Sequence, residues 1–206
     1  MTPESTGWTI WLAWWASWLA AAFWSDRAVK RPAPRNQIFY RLLAIAGYVL
    51  LFGLYQHDLR TEMILWRTPV ALGWGLVALV LGGLLFTWWA RIHLGRLWSS
   101  SVTRKADHLV VDTGPYGIVR HPIYTGIIVA SLATAAIRGT AAAWVGFGLM
   151  TAGWVVKARL EEEFLREQLG QDAYSAYARR VPMLVPLVWR SPKGRSGPAV
   201  RPTDLR

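Results

Sequence analysis

"IYTGIIVASLATAAIRGTAAAWVGFGLMTAGWVV", residues 123–156, decides how the chain is arranged. Two apolar runs, 123–137 and 141–156, are parted only by Arg138-Gly139-Thr140. A bilayer-spanning helix needs about 20 residues, and fewer where interfacial side chains extend it. Runs of this length with so short a link predict an antiparallel helical hairpin. The first arm is rich in Ala, Ser, Thr and Gly, the composition that lets helix backbones approach closely in membranes. The hairpin also dictates that the segments before residue 123 and after residue 156 emerge side by side.

Three further apolar runs precede it, at residues 8–24, 38–55 and 69–90. The first follows Met-Thr-Pro-Glu-Ser-Thr-Gly, which lacks the basic region of a cleavable signal peptide, so it reads as a retained helix. Trp11, Trp14, Trp15 and Trp18 recur in it at helical spacing, forming an aromatic face suited to helix packing and interfacial anchoring. The third run contains Gly-Trp-Gly and Leu-Gly-Gly, which permit close helix approach. The expected fold class is all-α: a polytopic integral membrane protein with about five transmembrane helices.

Charge sets the orientation. The 206-residue chain carries a formal net charge of +11, and 20 of its 23 Lys and Arg lie in segments 25–41, 91–122 and 157–206. Only Arg60, Arg67 and Arg138 lie elsewhere. Positive residues stay on the cytoplasmic side, which places the N-terminus outside and the C-terminus in the cytoplasm. The stretch "QHDLRTEMILWRT", residues 56–68, reads either as a loop or as an interfacial segment. Beyond residue 190 the Pro, Gly, Ser, Lys and Arg lack periodicity, as expected of a disordered basic tail near anionic lipid.

Composition also excludes. The chain has no cysteine, which removes disulfides, thiolate metal sites and cysteine nucleophiles, and four scattered histidines argue against a metal centre. No basic stretch is interleaved with aromatics on a soluble module, so nucleic acid is not an expected partner. Nor does any strand run through a Gly-rich turn into a helix, the usual dinucleotide signature.

The residues capable of chemistry fall in the two segments that flank the hairpin. In "DHLVVDTGPYGIVRHPIYTG", residues 107–126, Gly114-Pro115 and Gly117 mark turns, Pro122 sits at a helix N1 position and His121 at the cap. One reading is simply a helix start; the other is an anion site built on exposed amides and the positive dipole end. Tyr116 and Tyr124 serve equally as interfacial anchors or ligand contacts. In "KARLEEEFLREQLGQDAYSAYARRVPMLVP", residues 157–186, Arg159 and Glu163 are four apart and share a helix face. Glu161, Glu162 and Glu163 point about 100° apart in succession, so one or two at most face the hairpin. Glu163 is favoured here because it shares a face with Arg159.

These segments together resemble the isoprenylcysteine carboxyl methyltransferase family, and more distantly the membrane phospholipid methyltransferases. An Arg-His-Pro-x-Tyr box, a Glu-Glu cluster and a Gly-x-x-x-Tyr-x-x-Tyr tail occur in the family's order within residues 88–189. The resemblance implies S-adenosylmethionine as cofactor, in a cytoplasmic pocket of the C-terminal half. It places cofactor contacts at His108, Leu109, Val110, Val111, Tyr116, His121, Pro122, Ile123, Tyr124 and Glu163, and catalytic roles at Arg159 and Glu163. Ser101 stands where some family members carry a cofactor-contacting glutamine. The implied division is N-terminal helices at 1–87, a catalytic region at 88–190 and the tail at 191–206. The acceptor would be a lipophilic or prenylated molecule entering from the bilayer, most readily a carboxylate. The small five-span plan looks like a bacterial or archaeal member, for which a small lipophilic carboxylate, thiol, amine or phenol also qualifies.

Two other readings remain open at this point. A membrane reductase of the sterol-reductase type has a similar C-terminal architecture and uses a nicotinamide cofactor. A non-enzymatic membrane protein would use the same polar segments only to cap helices.

Overall fold

The computed structural model describes residues 1–21, 34–54, 63–95, 111–169 and 171–186. Ser101, His108, Leu109, Val110, residues 56–62 and the basic tail lie outside the described residues. The described chain is all-helical: α1 (Pro3–Ala21), α2 (Pro34–Phe52), α3 (Val70–Leu94), α4 (Pro115–Ile118), α5 (Pro122–Arg138), α6 (Ala141–Leu169) and α7 (Gln171–Arg180).

The hairpin forms where Arg138-Gly139-Thr140 requires it. α5 ends at Arg138, and Gly139 takes a left-handed φ of 63° while its N–H donates to the Ala135 carbonyl. Glycine adopts that conformation without a Cβ penalty and so closes the helix cleanly. Residues 63–68 lie across this turn as an extended strap. The Leu65 N–H donates to the Gly139 carbonyl at 2.7 Å, and the Ala141 N–H to the Met63 carbonyl at 3.0 Å. The Trp66 indole N–H and the Thr68 hydroxyl both donate to the Ala136 carbonyl, at 3.1 and 2.7 Å. The described part of the 56–68 region is thus bound to the hairpin rather than free of it.

Around the hairpin, α2 packs along α6, α3 along α5, and α1 against α3. Small residues set these approaches. A Cβ on Gly47 would sit 2.6 Å from the Met150 amide nitrogen, and one on Gly83 would sit 2.7 Å from the Gly126 carbonyl. Close backbone contact of this kind holds helices together where no hydrophobic driving force separates protein from lipid.

The tryptophans of α1 divide by depth. Trp11 and Trp14 are buried, and their indole N–H groups donate to Thr134 Oγ1 on α5 at 2.9 Å and to Thr87 Oγ1 on α3 at 2.8 Å. Trp88 on α3 donates in turn to Ser17 Oγ at 3.1 Å. Trp15 faces outward. The aromatic face is therefore an interhelical hydrogen-bond ladder as well as packing, since a buried indole N–H needs an acceptor.

α3 and α6 are each long and apolar enough to cross a membrane, and Gln37–Phe52 and Pro122–Arg138 are shorter apolar helices. Large apolar side chains also point outward, among them Leu12, Leu42, Ile45, Leu72 and Leu85. α6 has 29 residues. At 1.5 Å per residue it runs about 44 Å, well beyond a ~30 Å hydrocarbon layer. Its apolar part ends at Val156, and the polar remainder carries Lys157 and the three glutamates toward α4 and α7. The expected division at residues 87 and 88 falls inside the continuous helix α3.

Candidate functional site

The Arg-His-Pro-x-Tyr box lies where α4, the start of α5, the polar end of α6 and α7 converge. Gly114 opens α4 with φ 56°, and a Cβ there would meet the His93 ring at 2.7 Å. His93, in the last turn of α3, shares a 2.9 Å hydrogen bond with Thr113 Oγ1. Val119 is extended. Beyond it the Arg120 N–H donates to the Pro182 carbonyl at 2.8 Å and the His121 N–H to the Met183 carbonyl at 3.1 Å. Thr125 Oγ1 adds a bond to the Leu184 carbonyl at 2.8 Å. The helix start is as the sequence predicts, with His121 at the N-cap and Pro122 at N1. Its first turn is buried beneath residues 182–184.

Arg120 is the hub. Its Nε donates to Glu162 Oε1 at 2.7 Å, and Nη1 donates to the Ala178 and Val181 carbonyls at 2.9 and 2.7 Å. A guanidinium in the last turn of α7 and just past it satisfies helix-end carbonyls and complements the negative dipole end. His121 Nε2 lies 3.2 Å from the same Glu162 oxygen, and Arg166 reaches Glu162 Oε2 at 3.1 Å. Burying a carboxylate demands this density of partners. On the other side of the histidine ring, Nδ1 lies 3.7 Å from Glu161 Oε2. Tyr124 donates its phenol to Glu161 at 2.6 Å and its ring stacks on His121 at 5.4 Å and on Trp154 at 4.9 Å.

α7 closes the cluster at the polar end of α6. Tyr174, Tyr177 and Val181 form a small core of their own, and Tyr177 donates to the Tyr116 carbonyl at 2.7 Å. Burial pushes the phenols of Tyr116, Tyr174 and Tyr177 well above the ordinary tyrosine range, with the Glu161 charge adding to the effect at Tyr116 and the Glu162 charge at Tyr174. All three stay neutral at physiological pH, and Tyr177 is the donor to the Tyr116 carbonyl.

Of the residues singled out from sequence, Tyr116, His121, Pro122, Ile123 and Tyr124 are buried together here, and Val111 is half-buried beside them. Arg159 and Glu163 are not in the cluster: both are exposed. The glutamates that face His121 are Glu161 and Glu162. The reason is register, since α6 turns Met150, Ala158 and Glu162 inward. At 100° per residue, Arg159 and Glu163 then fall on the far side. Arg120, Glu161, Glu162, Lys157 and Tyr177 were not singled out. The inward stripe through Met150 and Trp154, continued by four and three residues, leads to Lys157, Ala158, Glu161 and Glu162 and was the available signal. Among the described residues no group of three or more His, Cys, Asp or Glu could hold a metal ion.

A model of the isoprenylcysteine carboxyl methyltransferase (ICMT) family matches residues 76–167, a range that runs from within α3 to within α6 and so includes the hairpin and the glutamates. Protein-S-isoprenylcysteine O-methyltransferase B of Arabidopsis thaliana is 30% identical over 147 residues, 70% of this chain and 68% of the relative. The chain belongs to the isoprenylcysteine carboxyl methyltransferase family. A second member, protein-S-isoprenylcysteine O-methyltransferase of Schizosaccharomyces pombe, is 31% identical over 101 residues, 48% of this chain and 43% of the relative. The chain thus aligns with less than half the length of that yeast protein. Cobalt-zinc-cadmium resistance protein CzcN of Cupriavidus metallidurans is 28% identical over 126 residues, 59% of this chain and 51% of that protein.

Proposed function

We propose that this protein is an S-adenosylmethionine-dependent integral membrane methyltransferase that methylates a lipophilic acceptor, a carboxylate above all, at the cytoplasmic membrane face. One observation carries the reading: the family's motif residues, far apart in sequence, meet in one buried cluster at the polar end of an apolar hairpin. The names of two relatives point to the same reaction.

The chemistry of the side chains fits the cofactor. A bound S-adenosylmethionine would supply an already activated sulfonium methyl group. Cationic groups favour carboxylates and aromatic faces, and the cluster offers both in Glu161 and the Tyr124 and His121 rings. Tyr116, His121, Pro122, Ile123 and Tyr124 would hold the cofactor from the α4–α5 side, with Val111 and the adjoining His108, Leu109 and Val110. Glu163 would meet it from the outer side of α6. Arg159, exposed one turn before, would steer an anionic acceptor arriving along the membrane surface.

An acceptor carboxylate with a pKa of about 3.5 is ionised at neutral pH, so the protein needs no general base. Its task is to bring the acceptor oxygen in line and exclude water. We read α1, α2, α3, α5 and α6 as five spans in the membrane of a bacterium or archaeon, with the N-terminus outside and the cluster in the cytoplasm. Basic residues on the cytoplasmic side support that orientation.

Binding of S-adenosylhomocysteine to purified protein tests the reading. Saturable binding that His121→Ala abolishes in a folded protein is expected. Saturable NADPH binding with none for S-adenosylhomocysteine would replace the methyltransferase by a reductase.

A further inference from the structure

We propose that Lys157 is a positioning residue for the cofactor wall, and that it acts through Glu161 to fix the rings of Tyr124 and His121. The proposal rests on the methyltransferase reading above and adds which buried cation orders that wall.

Lys157 and Glu161 stand one helical turn apart where α6 becomes polar, with Nζ 3.9 Å from Oε1. An exposed pair at this spacing does little, because both side chains stay solvated and mobile. This pair is withdrawn from solvent, with 7% and 20% of the two side chains exposed. A lysine at the end of an apolar stretch ordinarily turns its ammonium toward water. Lys157 instead keeps it over rings supplied by three helices: 5.8 Å from the centre of Tyr40 on α2, 5.1 Å from Tyr124 on α5 and 5.3 Å from Trp154 on α6. Aromatic faces attract a cation, so the bundle places this ammonium rather than its own flexible stem.

Glu161 passes that placement on. The Tyr124 phenol donates to it, lying 2.6 Å from Oε1 and 2.7 Å from Oε2, the range of a charge-assisted bond. His121 Nδ1 lies 3.7 Å from Oε2. On the other side of the imidazole, Nε2 lies 3.2 Å from Glu162 Oε1. The ring is thus gripped between two carboxylates, and each is paired with cations: Glu162 with Arg120 and Arg166 at 2.7 and 3.1 Å, Glu161 with Lys157.

The two grips differ in what else they hold. Glu162 and Arg120 tie α5, α6 and α7 together, which is a structural duty. Among the described residues, Glu161 meets Tyr124, His121 and Lys157, so its partners other than the lysine are rings of the proposed cofactor wall. Without the ammonium, a carboxylate that is already partly exposed is free to turn to water and release both rings. The loss of Lys157 is therefore felt in the wall before it is felt in the fold.

The test uses the full-length protein in lipid nanodiscs. Its readouts are S-adenosylhomocysteine binding, thermal unfolding and the nitrogen NMR signals of the His121 ring, assigned by their loss in His121→Ala. Lys157→Met keeps the stem and removes the charge. It should weaken S-adenosylhomocysteine binding about tenfold, the scale of one contact to a charged group, and shift the His121 signals. Its melting temperature should be equal or higher, because an uncharged stem costs less to bury. Lys157→Arg keeps the charge and should restore part of the binding. Glu161→Gln should reproduce the effect of Lys157→Met, and the double variant should be no weaker than Glu161→Gln alone, since residues that act through one another do not add. The proposal is overturned if Lys157→Met leaves binding and the His121 signals as in wild type, if its loss adds in full to that of Glu161→Gln, or if binding falls only in step with the melting temperature. Absence of S-adenosylhomocysteine binding in wild type would instead strike the methyltransferase reading, and the His121 signals of the same variants would still decide whether Lys157 acts through Glu161.

Discussion

Arg120 and Glu162 lie 42 residues apart in sequence and meet through a 2.7 Å bond from guanidinium Nε to carboxylate Oε1. With 12% and 6% of their side chains exposed, they form a buried pair that joins the start of α5 to α6, while the same guanidinium holds the end of α7. Three of the elements that build the cluster thus depend on one contact.

Removing one partner leaves the other charged and buried. Glu162→Ala is expected to destabilise the protein by about 3–5 kcal/mol, whereas exposed Glu163→Ala stays within roughly 0.5 kcal/mol. Thermal unfolding in detergent measures both. Equal stability of the two variants would contradict the assignment of Glu162 as the inward glutamate. Glu163→Ala separates structure from ligand contact: weaker S-adenosylhomocysteine binding with unchanged stability is the result expected from its proposed role.

The Tyr177 phenol is the bolt between α7 and α4, bonding the Tyr116 carbonyl at 2.7 Å. Tyr177→Phe leaves that carbonyl without its donor and should cost about 1–3 kcal/mol. Hydrogen exchange should show the loss concentrated at α4 and α7, with the hairpin amides unaffected. Uniform loss across the helices would mean that α7 does not act as a separate clasp.

Alkaline pH offers a readout of the same region. Burial holds the phenols of Tyr116, Tyr174 and Tyr177 above their ordinary value, so the folded protein keeps protons that the unfolded chain releases above about pH 10. Their contribution to stability is complete below that pH and falls as pH rises through it. Tyrosinate absorbance should develop for these three only as the protein unfolds. Their ionisation in a protein that is still folded would contradict the burial.

Close helix approach predicts intolerance of bulk. A Cβ on Gly47 meets backbone atoms of α6 rather than a side chain that can swing away. Gly47→Leu should therefore cost at least about 1–3 kcal/mol through overpacking, visible as a lower melting temperature. Gly82→Leu, where nothing lies within 4 Å, should be tolerated.

The hairpin was legible because two apolar runs joined by a three-residue link containing Gly139 admit little else. His121 and Pro122 were legible for a similar local reason, since cap and N1 preferences are written in neighbouring residues. The inward glutamates were not read, because two i,i+4 patterns compete on α6. Arg159 with Glu163 is as good a helical pair as Lys157 with Glu161, and only packing against α2 and α5 turns the second inward. Arg120 was legible only as the first residue of the box; its partners, carbonyls of α7 and a carboxylate of α6, are not revealed by local spacing. The hydrogen bonds of Trp11 and Trp14 to threonines on other helices were likewise invisible, since the spacing shows a face and not what meets it.

The central claim is methyl transfer at this membrane cluster. Membranes containing the protein, supplied with methyl-labelled S-adenosylmethionine and N-acetyl-S-farnesylcysteine, should form a base-labile labelled methyl ester, and membranes carrying His121→Ala should not. Absence of labelled ester on this and every endogenous lipophilic acceptor, with the protein folded, would contradict the account.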